Sequence, residues 1–151
     1  SRGPELPLEG RTYRAWRKQW KRFKDIPREP GYILDLGEKE EVLRTGEQIL
    51  ADFGGIDILV NTVGINKHMR VDECDEELLE KTISVNYKSG IRFARIFVPG
   101  MRQRKQGNII NISSIHSIQT MPGFGIYAGT KGAVNATARL WRWTMRTMGS
   151  G

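Results

Sequence analysis

One cysteine, Cys74, is all that the 151 residues contain. A lone thiol excludes an internal disulfide framework and any zinc site built from cysteines. It lies among carboxylates in VDECDEELLE, where it reads as a small, unreactive helix-start residue, and it fits a reducing, cytoplasmic setting. Apolar runs are short: none approaches the roughly 18 residues of a membrane span, and no signal-peptide pattern is legible. Internal repeats and low-complexity tracts are absent as well. Carboxylates are missing where the chain is most basic, since residues 11–24 hold seven Lys/Arg and residues 139–151 three Arg, with no acid in either.

What is present divides unevenly. The net charge is +7, with nine basic against four acidic side chains in residues 1–30 and twelve against thirteen in residues 31–138. All four tryptophans, Trp16, Trp20, Trp141 and Trp143, lie towards the ends. The middle is therefore a near-neutral globular sequence, one domain's worth of chain, between basic, aromatic ends. In RTYRAWRKQWKRFK (11–24) Tyr13, Trp16, Trp20 and Phe23 recur at helical spacing, which predicts a basic amphipathic helix. Pro27, Pro30 and Gly31 end it.

From residue 31 onward apolar runs and helical patterns alternate. YILDL (32–36) reads as a short buried strand. The stretch from Glu38 to Phe53 places Val42, Ile49, Leu50 and Phe53 on one helical stripe, closed by Gly54 and Gly55. IDILVN (56–61) is a second buried strand. Asp75 to about Lys105 reads as one long helix stopped by Gly107, with Asn86 inside it, where a short amide competes with the backbone and bends a helix. NIINIS (108–113) is a third strand, and a last helix starts near Ile126. Near-continuous apolar strands alternating with helices predict an α/β fold, a parallel sheet with helices on both faces.

The stretch SSIHSIQTMPGFGIYAGTK (113–131) carries the chemistry. Its GFGIYA fits the G-x-G-x-x-G/A template for a dinucleotide pyrophosphate, but no strand precedes it and no acid follows about 20 residues on, which argues against a phosphate cradle. Tyr127 and Lys131, four apart on a helix, share one face. A phenol with a pKa near ~10 is a poor base at neutral pH. A cation about 4 Å away favours the phenolate by roughly 1 kcal/mol in water and about 4 at an effective dielectric of 20. Such a phenol can exchange a proton with a carbonyl or alcohol oxygen. Ser113 and Ser114 end a buried strand, at the carboxyl edge where α/β sheets hold ligands, and a hydroxyl there can donate to the same oxygen. Asn61 ends the preceding strand, and Gly64 follows as a backbone turn open to a ligand.

Taken in order, these pieces resemble the short-chain dehydrogenase/reductase family of classical type over residues 31–139. YILDLGEKEEV is similar to the family's third strand and its Asp. DILVNTVG resembles D-x-x-V-N-N-A-G, with Thr62 and Val63 in place of the second Asn and the Ala. ISVN matches the helix Asn, GNIINISS the serine strand and YAGTKGAVNA the Y-x-x-x-K helix, with Ser114 at the family's interval before Tyr127. The resemblance implies an incomplete Rossmann-type, doubly wound sheet and an oxidoreductase using NAD or NADP to interconvert a secondary alcohol and a ketone. It implies Tyr127 as the acid/base, Ser114 as the group that polarises the substrate oxygen, and Lys131 as the cation favouring the phenolate and bonding the nicotinamide ribose. Asn86 would hold a relay water. Asp35 and Leu36 would lie beside the adenine, and Asn61, Val63 and Gly64 along the adenosine side. His116 and Phe124 read as a loop histidine and a lid hydrophobe with a substrate wall as the alternative, and His68 as a surface residue.

The family's opening strand and T-G-x-x-x-G-x-G turn have no match before residue 31, and the strands after the catalytic helix have none either. The resemblance therefore implies weak cofactor binding and little activity for this segment alone. In the family the order of strands leaves two between 32–36 and 56–61. We expect 56–61 and 108–113 to pair in parallel, and 32–36 either to slide in beside 56–61, the favoured outcome, or to stand poorly paired. Residues 140–151 read as an aberrant tail. Trp and Met have single codons, and regrouping RLWRWTMRTMGSG by one base permits M-A-L-D-x-A-x-x-G-I-R, which resembles the family's continuation; the expectation is a shifted reading frame near Arg139. Subunit pairing through the long and catalytic helices is a further implication. An alternative function belongs to the segment outside the family match: helix 11–24 as a binding module for nucleic acid, an anionic membrane surface or an acidic partner.

Overall fold

The computed structural model describes residues 31–146, with side chains to residue 141. The chain separates into two compact units, Ser1–Tyr32 and Ile33–Gly151, and everything below concerns the second. The expected helix 11–24 and the last residues of the expected aberrant tail lie outside the described residues.

Helix α1 spans Lys39–Phe53 and ends as its sequence predicts, with Gly54 in the left-handed region (φ 68°) and its N–H donating to Leu50 O. A glycine takes that conformation without the clash a Cβ would bring. The buried stripe of α1 differs from expectation: Val42, Thr45 and Gly46 face inward, whereas Phe53 is 45 % exposed at the helix end. Gly46 explains the shift. A Cβ built there would meet Ile96 Cδ1 and lie 3.3 Å from Phe93 Cδ1, so the glycine lets α1 press onto the next long helix. Gly46→Val is accordingly expected to lower stability by about 1–3 kcal/mol through overpacking, read as an earlier midpoint in urea.

Strand β1, Ile58–Asn61, leads through a loop to α2, Glu76–Ile83. Asp75 caps α2, its carboxylate accepting from Leu78 N at 2.8 Å, while Glu76 and Glu77 in the first turn complement the helix dipole. A π-helical turn, Ser84–Lys88, follows without a break and continues into α3, Ser89–Gln103. The expected bend at Asn86 is thus a widened turn. The Ser89 amide donates to Ser84 O instead of the carbonyl four residues back, and its buried hydroxyl donates to that carbonyl, Val85 O, at 2.7 Å. Lys105, in the left-handed region at φ 53°, terminates the helix before Gly107 is reached.

Strand β2, Asn108–Asn111, pairs with β1 in parallel, Ile58 opposite Asn108 through Asn61 opposite Asn111, as expected for 56–61 and 108–113. Helix α4, Gly125–Arg146, completes the described order. The core is small and lies where α1 and the π turn meet α3: Val42, Val85, Ala94, Phe97 and Met101 are its buried apolar side chains, and the Phe93 and Phe97 rings stack at 6.1 Å.

The strand expected at 32–36 is not formed, and of its two expected outcomes the poorly paired one holds. Ile33 is 61 % exposed. The slide into the slot beside β1 has not happened, because the turn at Asp35 holds this segment. Glu38 N donates to Asp35 O, Gly37 N to Asp35 Oδ1, and Asp35 N to Glu41 Oε2. The α/β order with a parallel sheet is as expected; among the described residues Ile58, Val60, Ile110 and Ile112, on the sheet face away from the described helices, are each at least 40 % exposed. No described helix is long and apolar enough to cross a membrane.

Candidate active site

Lys131 is the centre of the arrangement. It is 4 % exposed, and its ammonium donates to Ile112 O at 2.9 Å and Val63 O at 3.2 Å. One buried cation thereby ties together the segments leaving the carboxyl ends of both strands. A buried ammonium is costly unless its donors are used, and two of its three are. Tyr127, one helical turn earlier, presents its ring with the Lys131 Nζ 5.8 Å from the ring centroid. The i, i+4 spacing of the pair does what it predicts.

Ser114 reaches the same place through His116. Ser114 caps a short 3₁₀ turn, Ile115–Ser117, its Oγ accepting from His116 N at 3.3 Å. The hydroxyl proton of Ser114 is left to donate elsewhere. The His116 ring meets Tyr127 edge-on at 5.8 Å and stacks on Phe124 at 4.6 Å, while its Nδ1 shares a hydrogen with Thr120 Oγ1 at 3.1 Å. Phe124 in turn touches the His68 ring at 5.1 Å. His68 is an exposed loop residue, as expected, and it also joins a row of rings running from the loop after β1 to Tyr127. Gly123, with φ 83°, makes room for it, because a Cβ there would run into the His68 ring.

Asn86 joins the group from the π turn. Its Oδ1 accepts from Ile65 N at 2.7 Å, and its Nδ2 donates to Ile65 O at 2.9 Å and Thr130 Oγ1 at 3.1 Å. A single amide thus holds the loop after β1 and helix α4 together, and Asn86 is 5 % exposed. Gly64 sits between these groups. A Cβ on it would stand 3.3 Å from Lys131 Nζ and 3.7 Å from Asn86 Oδ1, so the bare backbone keeps the approach to both open. Asn61, Asn86, Asn111 and Lys131 border a cavity of about 20 Å³, enough for one water molecule with polar partners.

The cofactor positions divide. Leu36, Asn61 and Val63 line one groove of about 210 Å³ beside β1. Asp35 does not join them through its carboxylate, which is exposed and accepts from Gly37 N within its own turn. Two site residues were not legible as such. Asn111 accepts from Asn61 Nδ2 at 2.9 Å through Oδ1, and Thr130 donates to Tyr127 O at 2.7 Å while holding Asn86. The signal for Asn111 was present: ILVN and NIIN both end in Asn at the same register.

Comparison with known proteins bears on the family and the fold. The model for the short chain dehydrogenase family matches residues 16–149, beyond the 31–139 stretch that carries the motifs. The chain is 30% identical over 110 residues to the 3-oxoacyl-acyl-carrier-protein reductase FabG of Thermotoga maritima, covering 73% of this chain and 45% of that protein. A solved short-chain dehydrogenase from Streptomyces avermitilis superposes with a TM-score of 0.79 at 25% identity, over 92% of this chain and 50% of the other. A metagenomic short-chain oxidoreductase in complex with NADP gives a TM-score of 0.75 at 25% identity, over 79% and 54%. The chain spans about half the length of these relatives. With the motifs, the fold and the family match in agreement, the chain belongs to the short-chain dehydrogenase family.

Proposed function

We propose that these residues are the acid–base half of an NAD- or NADP-dependent oxidoreductase that interconverts a secondary alcohol and a ketone. The observation that carries the reading is Lys131, buried between the strand ends on the same helix face as Tyr127. A relative seen with NADP supports the cofactor class. The residues present fit such a group: Lys131 keeps a third N–H beyond the two carbonyls it binds, and Gly64 leaves the backbone bare beside it. Leu36, Asn61 and Val63 would border the adenosine portion. The cofactor, when bound, supplies or accepts the hydride.

The chain's own part is proton transfer. In the reductive direction Ser114 donates a hydrogen bond to the carbonyl oxygen and Tyr127 gives that oxygen its proton. In the oxidative direction Tyr127 withdraws the proton from the alcohol. Lys131 stands on the same helix face, its Nζ 5.8 Å from the centre of the Tyr127 ring. A water in the cavity beside Asn86 and Lys131 would restore the proton from solvent. The test is reduction of a panel of ketones by NADH and NADPH in a full-length family domain built around residues 31–139. Turnover with at least one ketone is expected, and none across the panel with either cofactor would reject the reading.

A further inference from the structure

A chain of side-chain hydrogen bonds runs from helix α4 to the backbone of Ser114. Tyr127, Lys131 and Asn135 follow one another at intervals of four, so they share one face of α4. Asn135 Nδ2 donates to Ser117 Oγ at 2.6 Å. The Ser117 hydroxyl donates in turn to Ser114 O at 2.6 Å, a carbonyl that also accepts from Ser117 N at 3.0 Å. Both lone pairs of that carbonyl are thereby occupied. Ser113 Oγ lies 3.4 Å from Ser117 Oγ and from Lys131 O, and its single proton serves one of them at a time.

We propose that Asn135 and Ser117 are positioning residues that fix the Ser114 hydroxyl relative to Tyr127, which rests on Ser114 polarising the substrate oxygen as proposed. The backbone of Ser114 is extended, at φ −150° and ψ 155°. With its carbonyl held twice, the direction of its Cα–Cβ bond is set. The remaining torsion of Oγ is χ1, which the bond from His116 N at 3.3 Å restrains. The backbone bond from Ser117 N already closes the 3₁₀ turn, so the turn does not need the Ser117 hydroxyl to form. What the hydroxyl adds is a tie across to α4, the element that carries Tyr127. The two groups that would meet the substrate oxygen are thereby held on one frame. Misplacing a reacting group by about 1 Å can cost roughly 10²-fold in rate, so this tie has a kinetic consequence.

A double-mutant cycle in the full-length family domain tests this, with kcat and KM measured for a ketone that the domain reduces. Ser117→Ala and Asn135→Ala are each expected to lower kcat by about tenfold or more. KM should change little, because the bond from Ser114 strengthens as charge develops on the oxygen. Combined with Ser114→Ala, neither should lower kcat by more than about twofold further, since no hydroxyl is left to position. The two substitutions cut the same chain at different links, and alanine at 135 is a good helix former, so the cycle does not depend on one variant folding. In the intact 151-residue chain, amide exchange at Ser117 should quicken by about fivefold or more in Asn135→Ala, while Leu59 in β1 keeps its rate. Undiminished kcat in both single variants would overturn the proposal. So would an equal loss with and without the Ser114 hydroxyl, which would make the ties purely stabilising, or unchanged exchange at Ser117. Undiminished kcat in Ser114→Ala alone would instead remove the role of Ser114, and the proposal with it, so the two failures are distinct.

Discussion

Exchanging Tyr127 for phenylalanine in a full-length family domain is expected to reduce turnover by about 10²–10⁴-fold, the range for losing a positioned acid/base. The substitution removes one oxygen and leaves the ring. The edge-on contact with His116 and the position of the ring near Lys131 need no hydroxyl, so the fold should be unaffected. Substrate affinity should change little, with the loss falling on kcat, because the missing interaction develops in the transition state. Tyr87→Phe is the control. Its hydroxyl bonds Thr137 Oγ1 at 3.0 Å rather than Tyr127, Ser114 or Lys131, and the variant should lose some stability while retaining turnover. Near-normal kcat in Tyr127→Phe would remove Tyr127 from the mechanism.

Asn86→Leu is expected to be the most damaging substitution for the fold, at about 3–5 kcal/mol. Leucine matches asparagine in shape and brings no hydrogen-bonding group. Ile65 N, Ile65 O and Thr130 Oγ1 would each lose the partner that Asn86 provides, in a place where the amide is 5 % exposed. Unpaired buried groups cost about 1–3 kcal/mol each, with some recovered by relaxation or water. Asn86→Asp separates shape from donor chemistry. It keeps an acceptor for Ile65 N but sets a carboxylate oxygen against Ile65 O, so it should also destabilise. Denaturant midpoints for the two variants, read beside the native chain, check both statements. Wild-type stability in either would mean that the loop after β1 is not held by this amide.

The β1–β2 pair was legible because its information is local: two apolar runs, each followed by polar residues, joined by a long helical pattern that permits a parallel crossover. Tyr127 and Lys131 were legible for the same reason, four residues apart on one helix. The helix end at Gly54 followed from the left-handed conformation that glycine accepts. Errors arose where the outcome depended on a distant partner. Residues 32–36 have the composition of a strand, but a strand exists only if something pairs with it, and the turn built on Asp35 and Glu41 held the segment elsewhere. Phe53 has the right spacing for the buried stripe of α1, yet the close approach at Gly46 rotated that stripe towards Thr45.

The site divides in the same way. Asn86 was recognisable as a misfit inside a helix, but its partners, Ile65 and Thr130, lie 21 and 44 residues away and no sequence spacing names them. His68 is separated from Phe124 by two helices, the π turn between them and one strand, and only the folded loop brings the rings together. Asn111 was hidden by the apolar character of its strand. Its role follows once the register sets it opposite Asn61.

The most direct test of the account is the fate of a labelled hydrogen. A full-length domain carrying these residues would be given nicotinamide cofactor deuterated at the transferable position and a ketone that it reduces. The account predicts deuterium on the carbinol carbon of the product, with the rate of its appearance falling by about 10²–10⁴-fold in Tyr127→Phe. Product without deuterium, or labelling at an undiminished rate in that variant, would contradict it.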